Sequence, residues 1–232
     1  PLKHKENDER TTLYVQYGQF LKKYKPKVFV FENVPGILSA AGGQYFKSLQ
    51  DLYKGMGYEV KAETHNSHEF GVAQKRERVI IIGWKKELNF KYPDLEKEGK
   101  KYFRDDIFSD LPKIKPGESK RVNKYSRETN NYLSDYKIRN GVDFVTQHVT
   151  RPHNEKDLNI YKMAIKKLES GERLKNDQIP DEMRTQKNLT DFLDRFKVVD
   201  RLPHTMIAHI AKDGHHFIHP DIKQLRSISV RE

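Results

Sequence analysis

The stretch KVFVFEN, residues 27–33, decides the fold class of this chain. Its run of β-forming apolar residues, 27–31, is followed at once by polar Glu32 and Asn33. A short, continuous apolar run is typical of a strand that is buried on both faces of a sheet. We therefore predict such a strand here, with a polar pair at its carboxyl end.

The segments that follow and precede this strand complete an α/β pattern. Apolar residues recur with helical spacing in residues 12–24 and 44–56, and short β-forming runs occupy residues 58–64 and 79–84. Helices and strands in this order are typical of one half of an α/β sheet with helices on its faces. We therefore predict an α/β fold for the first part of the chain.

The chain changes character after about residue 90. Residues 91–195 are highly charged and contain scattered prolines, and one clear helical stripe runs from Leu158 to Leu168. This composition predicts a separate, irregular subdomain. Beyond it, β-forming runs at 205–210 and 216–219 flank an Asp-Gly pair, which predicts a β-hairpin.

Composition limits the possible functions. The 232 residues suffice for one large domain or two smaller ones. Lys and Arg number 44 against 33 Asp and Glu, and the net charge of +11 favours a polyanion as partner, although a merely solubilising surface would give the same balance. Without cysteine, these residues can form no disulfide, thiolate metal site or cysteine nucleophile. No segment is long and apolar enough to cross a membrane, so we expect no membrane partner.

Two motifs carry candidate chemistry. Glu32 lies where open α/β sheets bind ligands, so it is a candidate acid or base, although a capping or surface-paired Glu would look the same. Gln74, Arg76 and Arg78 alternate, so an extended chain would direct all three to one side. An amide and two guanidiniums together suit phosphate or base oxygens, but they could also be a charge cluster at a strand edge.

Taken in order, the motifs of this chain resemble those of the DNA cytosine-5 methyltransferases. Residues 32–34, ENV, resemble the family's ENV motif, and residues 74–78, QKRER, resemble its QxRxR motif. Residues 201–205, RLPHT, resemble the motif before the return to the catalytic domain, and residues 226–232, RSISVRE, the start of the final motif. Residues 8–10, DER, resemble the end of the mobile loop after the family's Pro-Cys-Gln nucleophile.

The resemblance implies part of a Rossmann-like, S-adenosylmethionine-dependent methyltransferase sheet joined to an irregular, mixed target-recognition domain. Residues 1–95 would be the second half of the catalytic domain with the base pocket, 96–222 the target-recognition domain and hinge, and 223–232 a truncated return to the catalytic domain. The glycine-rich cofactor motif and the cysteine would precede Pro1, and both ends look like cuts. We therefore expect this chain alone to be inactive, with its cofactor-binding residues unknown.

In the family mechanism, a cysteine adds to C6 of a flipped cytosine, and C5 then takes the methyl group. The resemblance implies that Glu32 donates to N3, that Arg78 contacts O2 and that Arg76 supports them or binds phosphate. Burial of Glu32 would favour the protonated carboxyl that this role needs, whereas bracing by the two arginines would work against it. Gln74 and Asn33 are expected to support the pocket.

The implied partners are duplex DNA and the missing N-terminal catalytic part, in a cytoplasmic, DNA-associated location. Arg201 and Thr205 are expected to form the hinge that holds the recognition domain. Side chains of the irregular region that could contact base edges in the major groove are Arg121, Asn123, Lys124, Arg127, Asn130 and Asn131.

Five of the ten histidines lie between residues 204 and 219. Their spacing matches no zinc pattern, and a hairpin would distribute them over two faces, so we predict no metal site. They are His204, His209, His215, His216 and His219.

Three functions remain open. The leading one is the base-pocket and DNA-recognition part of a restriction-modification methyltransferase. The alternative is a non-catalytic DNA-binding subunit of a split or inactive enzyme, which the missing cysteine permits. The third is an RNA methyltransferase of the same family, against which the long variable region argues.

Overall fold

The structure is a computed structural model, and it describes residues 13–139, 141–184, 195–206 and 214–232. Contacts divide the chain into two compact units. Unit 1 comprises Pro1–Phe70 and Arg76–Gly99, and unit 2 comprises Gly71–Lys75 and Lys100–Glu232. The predicted loop at residues 1–10, with its DER motif, lies outside the described residues, as does part of the predicted hairpin, residues 207–213.

Unit 1 contains the helices and strands that the sequence predicts. In chain order they are α1 (Leu13–Tyr24), β1 (Val28–Asn33), α2 (Gly36–Ser39), α3 (Gln44–Gly55), β2 (Tyr58–Asn66) and β3 (Glu77–Lys85). The strands form one antiparallel sheet in the order β1-β3-β2. The apolar faces of α1 and α3 pack on this sheet through Leu21, Leu49 and Tyr53, which meet Phe29 and Ile81 in one core. The predicted α/β class is confirmed.

The register of β1 and β3 explains a size constraint in the core. Phe29 lies opposite Gly83. A Cβ atom on Gly83 would lie 2.1 Å from the Phe29 ring, so the glycine makes room for the aromatic side chain. The ring uses this space to pack edge-on against Tyr53 and Tyr58.

The prediction that β1 is buried on both faces is wrong. Phe29 is buried against the helices, but the side chains of Val28 and Val30 point the other way, and Val30 is 59% exposed. Side chains alternate along a strand, and α1 and α3 pack against the face that carries Phe29. An apolar run can therefore have one face that is open in the described part of the chain.

Unit 2 has little regular structure, as predicted for the irregular region. Its elements are α4 (Arg104–Phe108), β4 (Val122–Lys124), α5 (Asn131–Asp135), β5 (Phe144–Thr146) and α6 (Glu155–Glu169). The predicted helical stripe is confirmed as α6, whose first turn is capped by Asn154 Oδ1 accepting from the Asp157 amide at 2.8 Å. Ile160, Tyr161 and Ile165 of α6 form the core of this unit with Leu174, Ile179, Phe196 and Ile218. Within the described ranges, no helix has the length and apolarity needed to cross a bilayer.

Candidate functional site

Glu32 and two arginines meet at one end of the unit 1 sheet. Glu32 lies opposite Ile80 of β3, so Arg78, two residues earlier in β3, is its diagonal neighbour on the same face. The Arg78 Nε atom lies 2.8 Å from Glu32 Oε1, and Arg76 Nη2 lies 3.9 Å from the same oxygen. Strand alternation therefore brings together the carboxylate and both guanidiniums, as the spacing of the two motifs suggests.

The two arginines differ in how firmly they are held. Arg78 is mostly buried, and its Nη1 donates to the Glu77 carbonyl at 2.7 Å. Arg76 is more exposed, but its carbonyl accepts from the Ser67 amide at 2.9 Å, which ties the start of β3 to the end of β2. Arg78 is thus the fixed partner of Glu32, and Arg76 is the adjustable one.

The Glu32 side chain is 52% exposed on the open face of β1, so among the described residues it lacks the burial that would favour its proposed role. In the structure, both arginines brace this carboxylate. An ion pair this exposed contributes roughly 0–1 kcal/mol to stability. A ligand with donors and acceptors of its own can therefore replace the pair at small cost.

Asn33 supports the turn after β1. Its Oδ1 accepts from the Val34 amide at 2.8 Å, and the Val34 carbonyl accepts from the Ile37 amide at 3.0 Å as α2 begins. These bonds fix the chain immediately after Glu32. A direct role for Asn33 at a bound base stays a prediction.

Gln74 belongs to unit 2, whereas the arginines of its motif belong to unit 1. The segment around Gln74 is held by residues of the predicted hinge. The Lys75 amide donates to the Pro203 carbonyl at 2.8 Å, and Thr205 Oγ1 donates to the Lys75 carbonyl at 2.9 Å. Support of the pocket by Gln74 stays a prediction, but Thr205 clearly fixes the backbone beside it.

Arg201, the other predicted hinge residue, is fixed by three contacts. Its guanidinium lies over the Phe103 ring at 4.2 Å, its carbonyl accepts from the Arg104 amide at 2.9 Å, and its amide donates to Asp200 Oδ1 at 2.6 Å. The Arg104 side chain in turn donates to the Val199 carbonyl. The hinge segment is therefore firmly attached within unit 2.

The structure divides the predicted base-contacting residues into two groups. Asn130 caps α5 through its Oδ1 and donates from Nδ2 to the Asp106 carbonyl at 2.7 Å, and Asn123 Nδ2 donates to the Lys120 carbonyl at 3.0 Å. These amides serve the loops of unit 2. The side chains of Arg121, Lys124 and Arg127 are exposed.

Unit 2 contains a buried ion pair that the sequence does not predict. Arg226 is fully buried and donates to both carboxylate oxygens of Glu232 at 2.6 Å, to Gln224 Oε1 and to the Ile114 carbonyl. Burial would raise the pKa of Glu232, but the hydrogen bonds and charge of Arg226 outweigh it and lower that pKa. Both residues belong to the RSISVRE segment, residues 226–232, yet no local pattern marks them as buried.

The histidines of residues 204–219 serve the packing of unit 2 where they are described. His204 stacks on Phe217 with ring centroids 5.3 Å apart, and His215 Nδ1 lies 2.8 Å from the Tyr161 hydroxyl. Burial, and then the charge of Arg226, lower the pKa of His219 to about 4. The part of the chain that is described holds no group of three or more potential ligands placed for a metal ion, and His209 lies outside it.

The described residues of unit 1 single out no contact for a nucleoside-containing cofactor. His68 is the one buried polar side chain among them, and the polar groups of an open site would instead be exposed to solvent. The buried carboxylates of Asp110 and Glu232 lie in unit 2 and are paired with Arg139 and Arg226. We therefore assign no residue of this chain to a cofactor.

Comparisons with known proteins agree on one family. The pattern of the C-5 cytosine-specific DNA methylase family matches residues 2–232. The chain is 39% identical over 244 residues to the Type II methyltransferase M.Bpa9945I of Bacillus paralicheniformis, covering 97% of this chain and 55% of that protein. It is 39% identical over 119 residues to the Type II methyltransferase M.FnuDI of Fusobacterium nucleatum, covering 49% of this chain and 34% of that protein.

A solved structure shows the same fold. It is described as a DNA modification methyltransferase encoded within an E. coli prophage, and it matches 96% of this chain and 62% of its own length with a TM-score of 0.60 at 19% identity. The chain thus spans about half of the first curated relative and under two thirds of this structure. On the match of the family pattern to nearly its whole length, this chain belongs to the C-5 cytosine-specific DNA methylase family.

Proposed function

We propose that this chain is the base-pocket and DNA-recognition part of a DNA cytosine-5 methyltransferase. The complete enzyme would transfer a methyl group from S-adenosylmethionine to C5 of a flipped cytosine in duplex DNA, as the modification half of a restriction-modification system. The observation that carries this proposal is the Glu32–Arg78 pair at the end of β1, 2.8 Å apart and open to solvent. The relatives named above, which are Type II methyltransferases, support it.

The pair suits the charge that the reaction develops. A nucleophile that adds to C6 pushes negative charge onto N3 and O2, which are adjacent on one edge of the cytosine ring. In the proposed pocket, the bound base and the rest of the enzyme cover Glu32, which takes up a proton as the substrate binds and donates a hydrogen bond to N3, while the Arg78 guanidinium donates to O2. The flipped base would replace the contact between the two side chains with one bond to each of them. Arg76, the adjustable arginine, would then turn to a DNA phosphate and leave the carboxyl without a second cation beside it.

Two parts of the reaction need residues that this chain does not contain. The chain has no cysteine, so the thiolate that attacks C6 must come from another part of the enzyme. S-adenosylmethionine supplies the methyl group when it is bound, and we place its site outside the residues described above. This chain would contribute the base edge contacts and the recognition of DNA.

The open face and edge of β1 suit the missing part of the catalytic domain. β1 pairs with β3 along one edge, and among the described residues nothing pairs with its other edge. Val28 and Val30 are exposed beside that edge. An unpaired strand with exposed apolar side chains favours the addition of further sheet. We propose that the N-terminal part of the enzyme covers this surface.

The missing cysteine also permits a second function, in which the chain is a non-catalytic DNA-binding subunit, although the intact Glu32 and Arg78 argue against it. Mixing tests both. This chain and the N-terminal part of the enzyme, each supplied as a separate polypeptide with the final motif complete, are assayed alone and together for transfer of labelled methyl groups from S-adenosylmethionine. We expect activity on duplex DNA from the mixture and none from this chain alone.

Other outcomes of the mixing experiment decide against the proposal. Methyl transfer by this chain alone would overturn the division of labour. Folded halves that bind DNA together without any methyl transfer would favour the non-catalytic subunit. Transfer to tRNA but not to duplex DNA would indicate an RNA methyltransferase.

A further inference from the structure

The two short strands of unit 2 form a ribbon with one exposed face. β4 and β5 pair antiparallel, with Val122 opposite Thr146, Asn123 opposite Val145, and Lys124 opposite Phe144. The middle pair faces inward, since Val145 is fully buried and Asn123 is half-buried. Because side chains alternate along a strand, the other four share the outward face.

The composition of this outward face is unusual for a solvent-exposed ribbon. Phe144 is 51% exposed, and Val122 is exposed to a similar degree. Lys124 and Thr146 complete the face. Large apolar side chains grouped on an exposed face mark a surface that contacts a partner.

The charge around the ribbon indicates what kind of partner this is. Residues 113–127 contain six basic side chains and one acidic one. Lys113 pairs with Asp221, and Lys115 donates to the Lys223 carbonyl. Of the remaining four, none forms an ion pair with any described residue. They are Lys120, Arg121, Lys124 and Arg127. Unpaired cations beside an apolar face complement a nucleic acid.

Contacts of the residues just after β4 anchor the ribbon within unit 2. Ser126 Oγ donates to the Asp110 carbonyl at 3.0 Å just after β4. The Arg139 guanidinium lies over the Tyr125 ring at 3.9 Å and bonds to Asp110 at 3.4 Å, and Arg231 donates to the Tyr125 hydroxyl at 2.9 Å. A rigid support lets a small contact surface discriminate between ligands, because little conformational freedom is lost on binding.

We propose that this outward face enters the major groove of duplex DNA and recognises a thymine through its C5-methyl group, with Phe144 and Val122 as the contacting residues. A two-stranded ribbon fits the major groove, and apolar side chains there distinguish thymine by its methyl group. Arg121 and Lys124 contact the flanking phosphates. This inference rests on the proposed function and adds to it the specificity-determining residues of the recognition unit.

The test removes the proposed methyl group from the DNA. The complete enzyme first methylates a pool of duplexes of randomised sequence, which defines its recognition sequence. Each thymine of that sequence is then replaced by deoxyuridine, which differs only in lacking the methyl group. At one of these positions, we expect the duplex with deoxyuridine to react with a kcat/KM about fourfold lower than that of the duplex with thymine. This is the effect of removing one buried methylene-sized group.

Variants then assign this effect to the ribbon. Phe144→Ala should react equally with the thymine and uracil duplexes at that position and should accept other bases there. The matched control is Phe90→Ala, which removes a ring that is 57% exposed in unit 1, and it should keep the wild-type preference for thymine. Lys124→Gln should make the plot of log binding constant against log salt concentration less steep by about one unit of slope. Lys162→Gln on α6 should leave this slope unchanged.

The outcomes separate this inference from the function on which it rests. If the enzyme methylates duplex DNA but Phe144→Ala keeps the penalty for uracil, the ribbon does not recognise thymine and the inference is wrong. The inference would also be wrong if Phe144→Ala lowered kcat/KM by the same factor whichever base pair of the recognition sequence is changed. That result would indicate that Phe144 is a wedge that acts independently of sequence. If the wild-type enzyme methylates no duplex DNA, the proposed function fails first.

Discussion

Each unit of this chain contains an arginine–glutamate pair, and the two pairs differ in almost everything except their chemistry. In unit 1, Arg78 contacts Glu32 through one bond of 2.8 Å, and the carboxylate is half-exposed. In unit 2, Arg226 contacts both oxygens of Glu232 at 2.6 Å, and both side chains are fully buried. The first pair is accessible to a ligand, whereas the second is inaccessible to both solvent and ligands.

Under the proposed function, the same two side chains would bind substrate in one unit and stabilise the fold in the other. The exposed pair adds little stability, so a substrate can replace it. The buried pair is surrounded by further bonds, from the Ser229 amide to Glu232 and from Arg226 to the Ile114 carbonyl, which compensate for lost solvation. Removing one partner there leaves the other charged and unpaired in a dry environment.

The largest effect on stability should come from breaking the buried pair. Arg226→Ala should lower the free energy of unfolding by about 3–5 kcal/mol, because Glu232 would remain as a buried charge without its partner. Chemical or thermal unfolding of the complete protein measures this. Arg173→Ala, which removes an exposed arginine of the same unit, is the control and should change the free energy by less than about 0.5 kcal/mol. A loss below about 1 kcal/mol for Arg226→Ala would show that the buried pair contributes no more to stability than an exposed ion pair does.

A smaller change in the free energy of unfolding should appear with pH, and it should come from His219, which lies beside the buried pair. The pKa of His219 is about 4 in the folded protein, against about 6.5 in an unfolded chain. As the pH falls, the unfolded chain takes up this proton first. The stability that neutral His219 provides is therefore complete above about pH 6.5 and is lost between about pH 6.5 and about pH 4, with about 2 kcal/mol gone at pH 5.

The variant His219→Asn tests this pH dependence. The asparagine Oδ1 can accept from the Asp221 amide as His219 Nδ1 does, but it does not titrate. The loss of unfolding free energy between about pH 7.5 and about pH 5 should be about 2 kcal/mol smaller in the variant. Equal losses in both proteins would contradict the assignment to His219.

The smallest effect on stability should come from the exposed pair. Glu32→Gln should change the unfolding free energy by less than about 1 kcal/mol, because a half-exposed ion pair contributes little. The matched control is Glu59→Gln on β2 of the same sheet, another exposed glutamate. A loss as large as that of Arg226→Ala would mean that the Glu32–Arg78 pair is structural after all.

Local patterns predicted unit 1 well. Helical spacing and β-forming runs located α1, α3, β2 and β3 to within a few residues, because period and breakers act over short distances. Strand alternation also suggested that Arg76 and Arg78 share one side, and both contact Glu32. The prediction that failed was burial of β1 on both faces, since whether a neighbour covers Val30 depends on segments distant in sequence.

Unit 2 shows the same limit more strongly. Its short elements, such as β4 and β5, are too brief to give a periodic signal, and they pair across some twenty intervening residues. Arg226 is buried because its Nε reaches the Ile114 carbonyl, 112 positions earlier in the chain. The sequence identified the motif that contains Arg226 by resemblance, but not the partner that determines its environment.

Turnover of Glu32→Gln in the complete enzyme tests the central claim most directly. DNA binding and the rate of methyl transfer to duplex DNA are measured for the wild type, Glu32→Gln and Glu59→Gln. If Glu32 donates to N3 as charge develops, its variant should bind DNA about as well as the wild type and turn over about 10²- to 10³-fold more slowly, while Glu59→Gln keeps the wild-type rate. An unchanged rate for Glu32→Gln would contradict the assignment of this exposed pair to the cytosine pocket.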